Sequence, residues 1–304
     1  MKVLIIGLGS IAKKHIHALH DLGVTDIWAL RSSQNSPKLE GVKNIYFYSE
    51  IEDKNFDFFL ISNVTSKHSE TIEKLLKFKK PFFIEKPVFE VVNETNIKLV
   101  NRLMEAKIPT YVACSLRFLD SLREVKKLVK NSRINEVNIY SGSYLPNWRP
   151  GTDFRKSYSA SKELGGGVHI DLIHELDYLY WIFGKPNNTN STFSSKSSLD
   201  ISSYDYANFL WKYDHYNANV VLNYYRRDTK RTMEIITSEE TFLVDLMENK
   251  ILRNNEEIFY SNQKPVETYL PQMKFFLNEV VGNSKCHFNT IDEAYKILQL
   301  CLKD

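Results

Sequence analysis

The stretch MKVLIIGLGSIAKKHIHALH at the head of the chain constrains the fold more than any other. Val3 to Ile6 form a short apolar run of the kind that a parallel strand buried on both faces requires. Gly7, Gly9 and Ala12 follow with the spacing GxGxxG/A. Gly7 lets the chain turn sharply out of the strand, Gly9 admits a pyrophosphate to the backbone, and small Ala12 lets the following helix pack closely on the sheet. Ser10, Ile11 and Ala12 open that helix, whose unpaired N–H groups and positive dipole end suit phosphate. Strand, spacing and helix agree on a dinucleotide-binding turn rather than a tight connection without a ligand.

The first third of the chain then alternates strand and helix. Asp26 to Leu30, Asn44 to Tyr48, Phe56 to Ile61 and Lys80 to Ile84 read as strands two to five, and SKHSETIEKLLKFKK has helical apolar periodicity. A sixth strand, Thr110 to Ser115, ends near Arg117 and Phe118, where the domain boundary is placed. This is a doubly wound α/β pattern, and its ligand belongs at the carboxyl ends of the strands. Past residue 120 the pattern changes. A helix over 120–131 precedes a strand from Glu136 to Tyr144, and a glycine-led helix runs from Val168 to Phe183. Long alternating segments follow at Tyr206 to Tyr213, Asn217 to Tyr225, Arg231 to Ile236 and Thr241 to Leu246, with helices near 269–281 and 290–302. Such strands without intervening helices imply a large, mostly antiparallel sheet. The expectation is a Rossmann domain over 1–118 and an α+β domain over 119–304 for substrate binding and for self-association as a homodimer or homotetramer.

Composition narrows the function. At 304 residues with 43% hydrophobic content, the chain can build two cores. Forty basic against thirty-seven acidic residues leave a net charge of +3, with no basic stripe among aromatics, so nucleic acid is not expected as a partner. Lys77, Lys79 and Lys80 read as a solvated helix end. Cys114, Cys286 and Cys301 show no zinc or disulfide spacing, which fits a reducing cytoplasm, and no apolar run is long enough to cross a membrane. Asn188 and Asn190 lie in a polar, serine-rich stretch whose glycosylation-like patterns are incidental without secretion.

The end of the second strand bears on the cofactor. NAD-selective sites usually carry an acidic residue there to accept from ribose hydroxyls. This chain has Arg31, Ser32 and Ser33, a guanidinium and two hydroxyls suited to a 2′-phosphate. The expectation is NADP(H), with NAD(H) as the alternative.

GLGSIA, then SNVTSKH after the fourth strand, EKP after the fifth and GGGVHIDLIHELD in the second domain together resemble the Gfo/Idh/MocA oxidoreductases over essentially the whole chain. The resemblance implies hydride transfer between a nicotinamide and a carbinol or carbonyl carbon, usually of a sugar or cyclitol. Lys86 matches the family lysine beside nicotinamide and substrate, where an ammonium can stabilise a developing alkoxide. Glu85 is expected to hold that turn, or else simply to pair with Lys86. Asn63 and His68 match the loop bordering the cofactor, although Val64 and Thr65 stand where proline and asparagine are common, and His68 reads as a helix-start or packing residue. Arg117 with Phe118 matches a pair common at the family's domain junction, where the guanidinium serves cofactor, substrate or structure.

In the second domain, Asp171, His174 and Asp177 or Tyr178 share a helix face by spacing. In the family such an aspartate and histidine act with the lysine. Their usual spacing is four; here it is three, and Glu175 occupies the uninterrupted position. Aligning His174 implies one deleted residue. His174 is the preferred general acid/base, because imidazole titrates near neutrality, and Asp171 orients or binds. His169, Asp171, His174 and Glu175 superficially resemble a metal cluster, but His169 and His174 are badly phased on one helix and no other ligand motif accompanies them, so no metal is expected. Tyr144, Trp148, Arg149, Arg155, Lys156 and Tyr158 combine aromatic faces with cations, as a sugar ring bearing an anionic group requires, or else form a polar surface loop. The expected function is an NADP(H)-preferring oxidoreductase on a sugar derivative, anionic or nucleotide-linked. The alternatives are a free-aldose or inositol dehydrogenase, and a non-catalytic NADP(H)-binding regulator.

Overall fold

The computed structural model describes residues 1–282 and 287–303, so Cys286 lies outside the described residues. Two compact units emerge: Met1–Ser115 with Glu267–Leu298, and Leu116–Val266 with Gln299–Asp304.

The first unit is built on a six-stranded parallel sheet in the order β3-β2-β1-β4-β5-β6. Its strands are β1 (Lys2–Ile6), β2 (Asp26–Leu30), β3 (Val42–Ile45), β4 (Phe58–Ile61), β5 (Phe82–Glu85) and β6 (Thr110–Ala113). Helices α1 (Ser10–Asp21), α2 (His68–Leu75) and α3 (Glu94–Glu105) connect them, as the alternating pattern requires. β4 is buried along its whole length, and β1 and β5 nearly so, which is the continuous apolar signature of a sheet covered on both faces. The third strand lies earlier than its expected range of 44–48, because Tyr48–Ile51 forms a 3₁₀ turn whose Glu50 accepts from the Tyr46 and Phe47 amides.

The segment Glu267–Leu298 groups with this unit rather than with the second. The reason is the exposed edge of β6. Asn289 donates its side-chain amide to Val112 O at 2.7 Å and accepts the Val112 N–H through its own carbonyl at 2.9 Å, capping that edge. Phe276 then packs 5.2 Å from both Phe58 and Phe83. The expected helix over 269–281 is α-helical only from Tyr269 to Phe275 and continues as a π-helical turn over Phe276–Val281.

The second unit holds an eight-stranded sheet, ordered β14-β13-β12-β11-β7-β10-β9-β8. Its strands are β7 (Ile134–Tyr144), β8 (Asn188–Ser194), β9 (Tyr206–Lys212), β10 (Asn217–Asn223), β11 (Tyr225–Thr237), β12 (Thr241–Asp245), β13 (Lys250–Arg253) and β14 (Glu256–Tyr260). Neighbours run antiparallel except β7 and β10, which are parallel. One face is apolar: Ala207, Phe209 and Trp211 of β9 are wholly buried, as are Ala218, Val220 and Leu222 of β10. β8 was hidden in the serine-rich stretch because an edge strand needs little apolar content. The β13–β14 hairpin turns through Asn254 and Asn255, both with positive φ, as a tight hairpin demands.

Helices α4 (Asp120–Leu128), α5 (Val168–Asp171) and α6 (His174–Phe183) complete the unit. Asp177 of α6 accepts two hydrogen bonds from Arg117, from Nε and Nη2, each at 2.8 Å, with both side chains buried. Removing one partner strands a buried charge, which costs about 3–5 kcal/mol. Asp177→Ala is therefore expected to lower the urea midpoint strongly, while the paired apolar replacement Arg117→Met with Asp177→Leu is milder; unfolding curves of the three proteins check this.

Candidate functional site

At the carboxyl edge of the first sheet the glycine turn takes the form its spacing required. Gly7 has φ +87°, and a Cβ there would stand 2.7 Å from the Asn63 Cα. Only glycine permits this approach between the turn after β1 and the loop after β4. Gly9 is different: a Cβ there would meet nothing within 4 Å. The space over its backbone adjoins the start of α1, which has no side-chain cap and no acidic residue in its first turn. Uncapped N–H groups beside open space are what a pyrophosphate needs. Ala12 is buried beneath.

Three further strand ends join this edge. After β2, Arg31 is buried, and its Nη1 donates to Pro37 O at 3.0 Å and Asn44 Oδ1 at 3.1 Å. The guanidinium is thus held against β3 through one nitrogen, with the exposed Ser32 and Ser33 beside it in sequence. After β4, Asn63 donates to Thr71 Oγ1 at 2.9 Å, while its own Oδ1 is buried without a hydrogen-bond partner among the described residues. His68 begins α2 and is buried between Val88 O and Asn63 O, at 3.1 and 3.2 Å from its ring nitrogens.

After β5 comes the Glu85–Lys86–Pro87 turn, with a cis Lys86–Pro87 bond. Glu85 holds it, but its partner is a histidine the sequence did not announce. His15 of α1, wholly buried, places Nε2 at 2.5 Å from Glu85 Oε1, and Oε2 accepts the Lys86 N–H at 3.2 Å. Phe83 and Tyr269 pack around the imidazole at 4.7 and 5.4 Å. Burial and the Glu85 charge push the Tyr269 phenol up to about 12. His15 lies in the second turn of α1, and nothing local in the sequence ties it to Glu85, 70 positions away.

In the second unit, the expected single helix from Val168 to Phe183 is two. α5 ends at Asp171, Leu172 leaves helical geometry, and His174 starts α6. The shared-face argument for Asp171 and His174 therefore fails, because it required one continuous cylinder. The three-residue spacing falls across this break. Asp171 is held instead by Tyr224, whose phenol donates to Oδ2 at 2.5 Å. Glu175 is no vestigial ligand position: it is buried, and its Oε1 lies 2.7 Å from Arg231 Nε. Asp177 is engaged by Arg117 in a buried ion pair within this unit. Among the described residues no group of three His, Cys, Asp or Glu is arranged for a metal ion.

The glycines before α5 answer to the chain itself. A Cβ on Gly166 would fall 2.0 Å from Tyr158 O, and the Tyr158 phenol donates to Gly165 O at 2.9 Å. Tyr158 thus supports that loop. Trp148, partly exposed, donates to Ser143 Oγ at 2.9 Å and stands edge-on to Tyr224 at 5.3 Å. Arg227 stacks on Tyr144 at 4.2 Å, a cation the sequence reading missed in a charged strand. Arg149 and Arg155 are exposed, the latter over its neighbour Phe154. The structure therefore groups Asp171, Tyr224 and Trp148, pairs Tyr144 with Arg227, and leaves Arg155 apart.

His68 generates a pH dependence. Its two carbonyl neighbours favour the charged ring, but burial opposes them more strongly and lowers its pKa. The unfolded chain takes up this proton below about pH 6.5 and the folded one resists it, so stability present above that pH is lost as pH falls. His68→Gln is expected to flatten the decline in unfolding free energy between about pH 7 and pH 5 relative to wild type, by up to about 1.4 kcal/mol per pH unit, as read from urea unfolding curves across that range.

Comparison with known proteins agrees with this architecture. Residues 1–111 match the family model described as oxidoreductase family, NAD-binding Rossmann fold, and residues 122–243 match the GFO/IDH/MocA C-terminal domain. The uncharacterized oxidoreductase YrbE of Bacillus subtilis (strain 168) is 25% identical over 189 residues, covering 59% of this chain and 53% of that protein. The chain thus spans about half the length of that curated relative. A levoglucosan dehydrogenase, solved with NADH and levoglucosan, superposes with TM-score 0.83 at 15% identity, covering 99% of this chain and 95% of that one. The UDP-N-acetylglucosamine 3-dehydrogenase GnnA of Acidithiobacillus ferrooxidans does so with TM-score 0.80 at 16% identity, covering 99% and 95%. At such identities the structures speak for the fold, and the family models for descent. With its dinucleotide-binding half and its C-terminal half each matched in order, the chain belongs to the Gfo/Idh/MocA family of oxidoreductases.

Proposed function

We propose that this chain is an NADP(H)-preferring oxidoreductase acting on a hydroxyl or keto carbon of a sugar derivative that carries an anionic group. One observation carries the reading. Gly7, Arg31, Asn63 and Lys86 follow β1, β2, β4 and β5, adjacent strands of one parallel sheet, so four separately read positions share its carboxyl edge. That is where an open α/β sheet binds its ligand. Gly9 and the uncapped N–H groups of Ser10, Ile11 and Ala12 fit the pyrophosphate, and the orphaned Asn63 Oδ1 is a buried acceptor awaiting a donor.

The nicotinamide, when bound, supplies or accepts the hydride. This chain's residues handle the proton. In the oxidative direction the substrate hydroxyl gives up its proton as the carbon gives up hydride. Lys86 hydrogen-bonds that oxygen and stabilises the developing alkoxide, with Glu85 and His15 holding its turn. His174 takes the proton as general base, and Asp171 binds and orients the hydroxyl. In reduction the same groups act in reverse. Trp148 offers the sugar an apolar face, and Arg149 with Arg227 on Tyr144 faces its anionic group. The named activities of the two structural neighbours, on levoglucosan and on a nucleotide sugar, support a sugar substrate.

Further assignments follow from the same reading. The half-exposed face of β9 and β10, with Asn208, Leu210, Asn219 and Val221, serves self-association as a homodimer or homotetramer. Cys114 and Cys301 are buried, and a chain with three cysteines at no disulfide-framework spacing suits a cytoplasmic protein. No helix among the described residues is long and apolar enough to cross a membrane.

A panel of sugars, sugar acids and nucleotide sugars with NADP or NADPH, followed at the nicotinamide absorbance, tests the proposal. Turnover should be largest with an anionic derivative; preference for free aldoses or inositols would instead favour the plainer dehydrogenase. Lys86→Met should reduce kcat by about 10²–10⁴-fold with coenzyme affinity retained. A wild type inert on the entire panel but binding NADPH would favour the regulator. For the coenzyme, Arg31→Asp should lower the NADP-to-NAD ratio of kcat/KM by at least about tenfold, the loss of one charge-assisted contact. Equal or better wild-type activity with NAD would overturn the Arg31 assignment.

A further inference from the structure

Asp171 closes a single helical turn, and the chain leaves helical geometry at the next residue. Its backbone N–H donates to the carbonyl of Gly167, the residue before α5, at 3.0 Å. A carboxylate on so short an element needs an anchor from elsewhere if its direction is to be defined. Tyr224 meets that need. It follows β10 and is wholly buried, and its backbone is pinned on both sides: its N–H donates to Asp205 O at 3.0 Å, and its carbonyl accepts from Leu145 N–H at 2.8 Å. The phenol then reaches Asp171 Oδ2 at 2.5 Å, a short charge-assisted contact.

The ring is braced in turn. Trp148 stands edge-on against it, with planes at 89°, and the Trp148 indole N–H is held by Ser143 Oγ. Burial, and after it the Asp171 charge, push the phenol well above its ordinary value, so the hydroxyl keeps its proton. A phenol of this kind gives a carboxylate one fixed donor at every working pH. It leaves the proton traffic of the reaction to other groups.

We propose that Tyr224 is a positioning residue that fixes the Asp171 carboxylate for substrate binding and proton transfer, with Trp148 as the brace that fixes Tyr224. This rests on the reading of Asp171 as a substrate-binding group. Tyr224 is assigned a contact with Asp171 and none with a reacting atom. It acts on catalysis through one bond, from a residue 53 positions further along the chain.

A double-mutant cycle separates this role from a merely structural one. With the best substrate from the panel and saturating coenzyme, kcat and KM are measured for wild type, Tyr224→Phe, Asp171→Asn and the double variant. Tyr224→Phe keeps the ring against Trp148 and is expected to lower kcat by about 10–100-fold, the usual cost of losing the support of a working group, with coenzyme affinity unchanged. The double variant should be no slower than Asp171→Asn alone. If Tyr224→Phe costs the same factor in both backgrounds, or leaves kcat unchanged, the positioning role is overturned while the functional reading stands. If Asp171→Asn leaves kcat unchanged, the reading of Asp171 is what fails. A readout independent of turnover is the Cζ resonance of Tyr224 in ¹³C-tyrosine-labelled protein, identified by its absence in Tyr224→Phe. It should shift in Asp171→Asn, and an unmoved resonance would overturn the contact. A wild type inert on the panel overturns the catalytic role together with the functional reading, and the resonance then reports on the bond alone.

Discussion

The approach of Gly7 to Asn63 is the contact on which the first unit depends. With a Cβ 2.7 Å from a backbone atom, any other residue at position 7 would push the loop after β4 away from the turn after β1. Because the two strands are neighbours in the sheet, that displacement would pass directly to the edge where Arg31 and Lys86 also emerge. The same closeness explains why Gly9 looks so different. The chain uses one glycine to pack against itself and leaves the space above the next one open, beside the uncapped start of α1. His15, further along that helix, reaches Glu85 and so links α1 to the Lys86 turn within a single unit.

The second unit is organised by buried polar pairs. Arg117 with Asp177, Glu175 with Arg231 and Tyr224 with Asp171 each join a residue of the α5–α6 region to another part of the unit. Buried charges contribute little net stability, since desolvation offsets much of their attraction, but they penalise any arrangement that separates them. Here they determine how two short helices sit on an apolar sheet face that would by itself tolerate sliding. Three acidic residues close in sequence thus take different partners: Glu175 meets Arg231, Asp177 meets Arg117, and Asp171, half-buried at the end of α5, meets Tyr224.

The first unit was largely legible because its signals are local. A glycine turn, an apolar run and a helical period each occupy a few consecutive residues, and the strand order follows from the doubly wound pattern they imply. Boundaries shifted where a side chain competed for the backbone, as Glu50 does beyond β3. The second unit resisted in specific places. β8 carries too little apolar content to stand out from a serine-rich stretch, and the break at Leu172 leaves no mark in a segment whose apolar periodicity continues through it. The return of residues 267–298 to the first unit was also invisible, because capping the edge of β6 falls to one asparagine distant in sequence.

Resemblance names the family and, through it, Lys86, Asp171 and His174 as candidates to handle the proton; the sequence by itself determined the dinucleotide-binding turn and the parallel and antiparallel sheet classes. Each rests on residue types at short spacings, where covalent geometry limits what the chain can do. Only the tertiary structure decided what holds those residues. His15 supports Glu85 and Tyr224 supports Asp171 from 70 and 53 positions away, and Arg117 pairs with Asp177 60 positions away. A buried hydrogen bond is specified by where two backbones arrive in space, and no local pattern records that arrival.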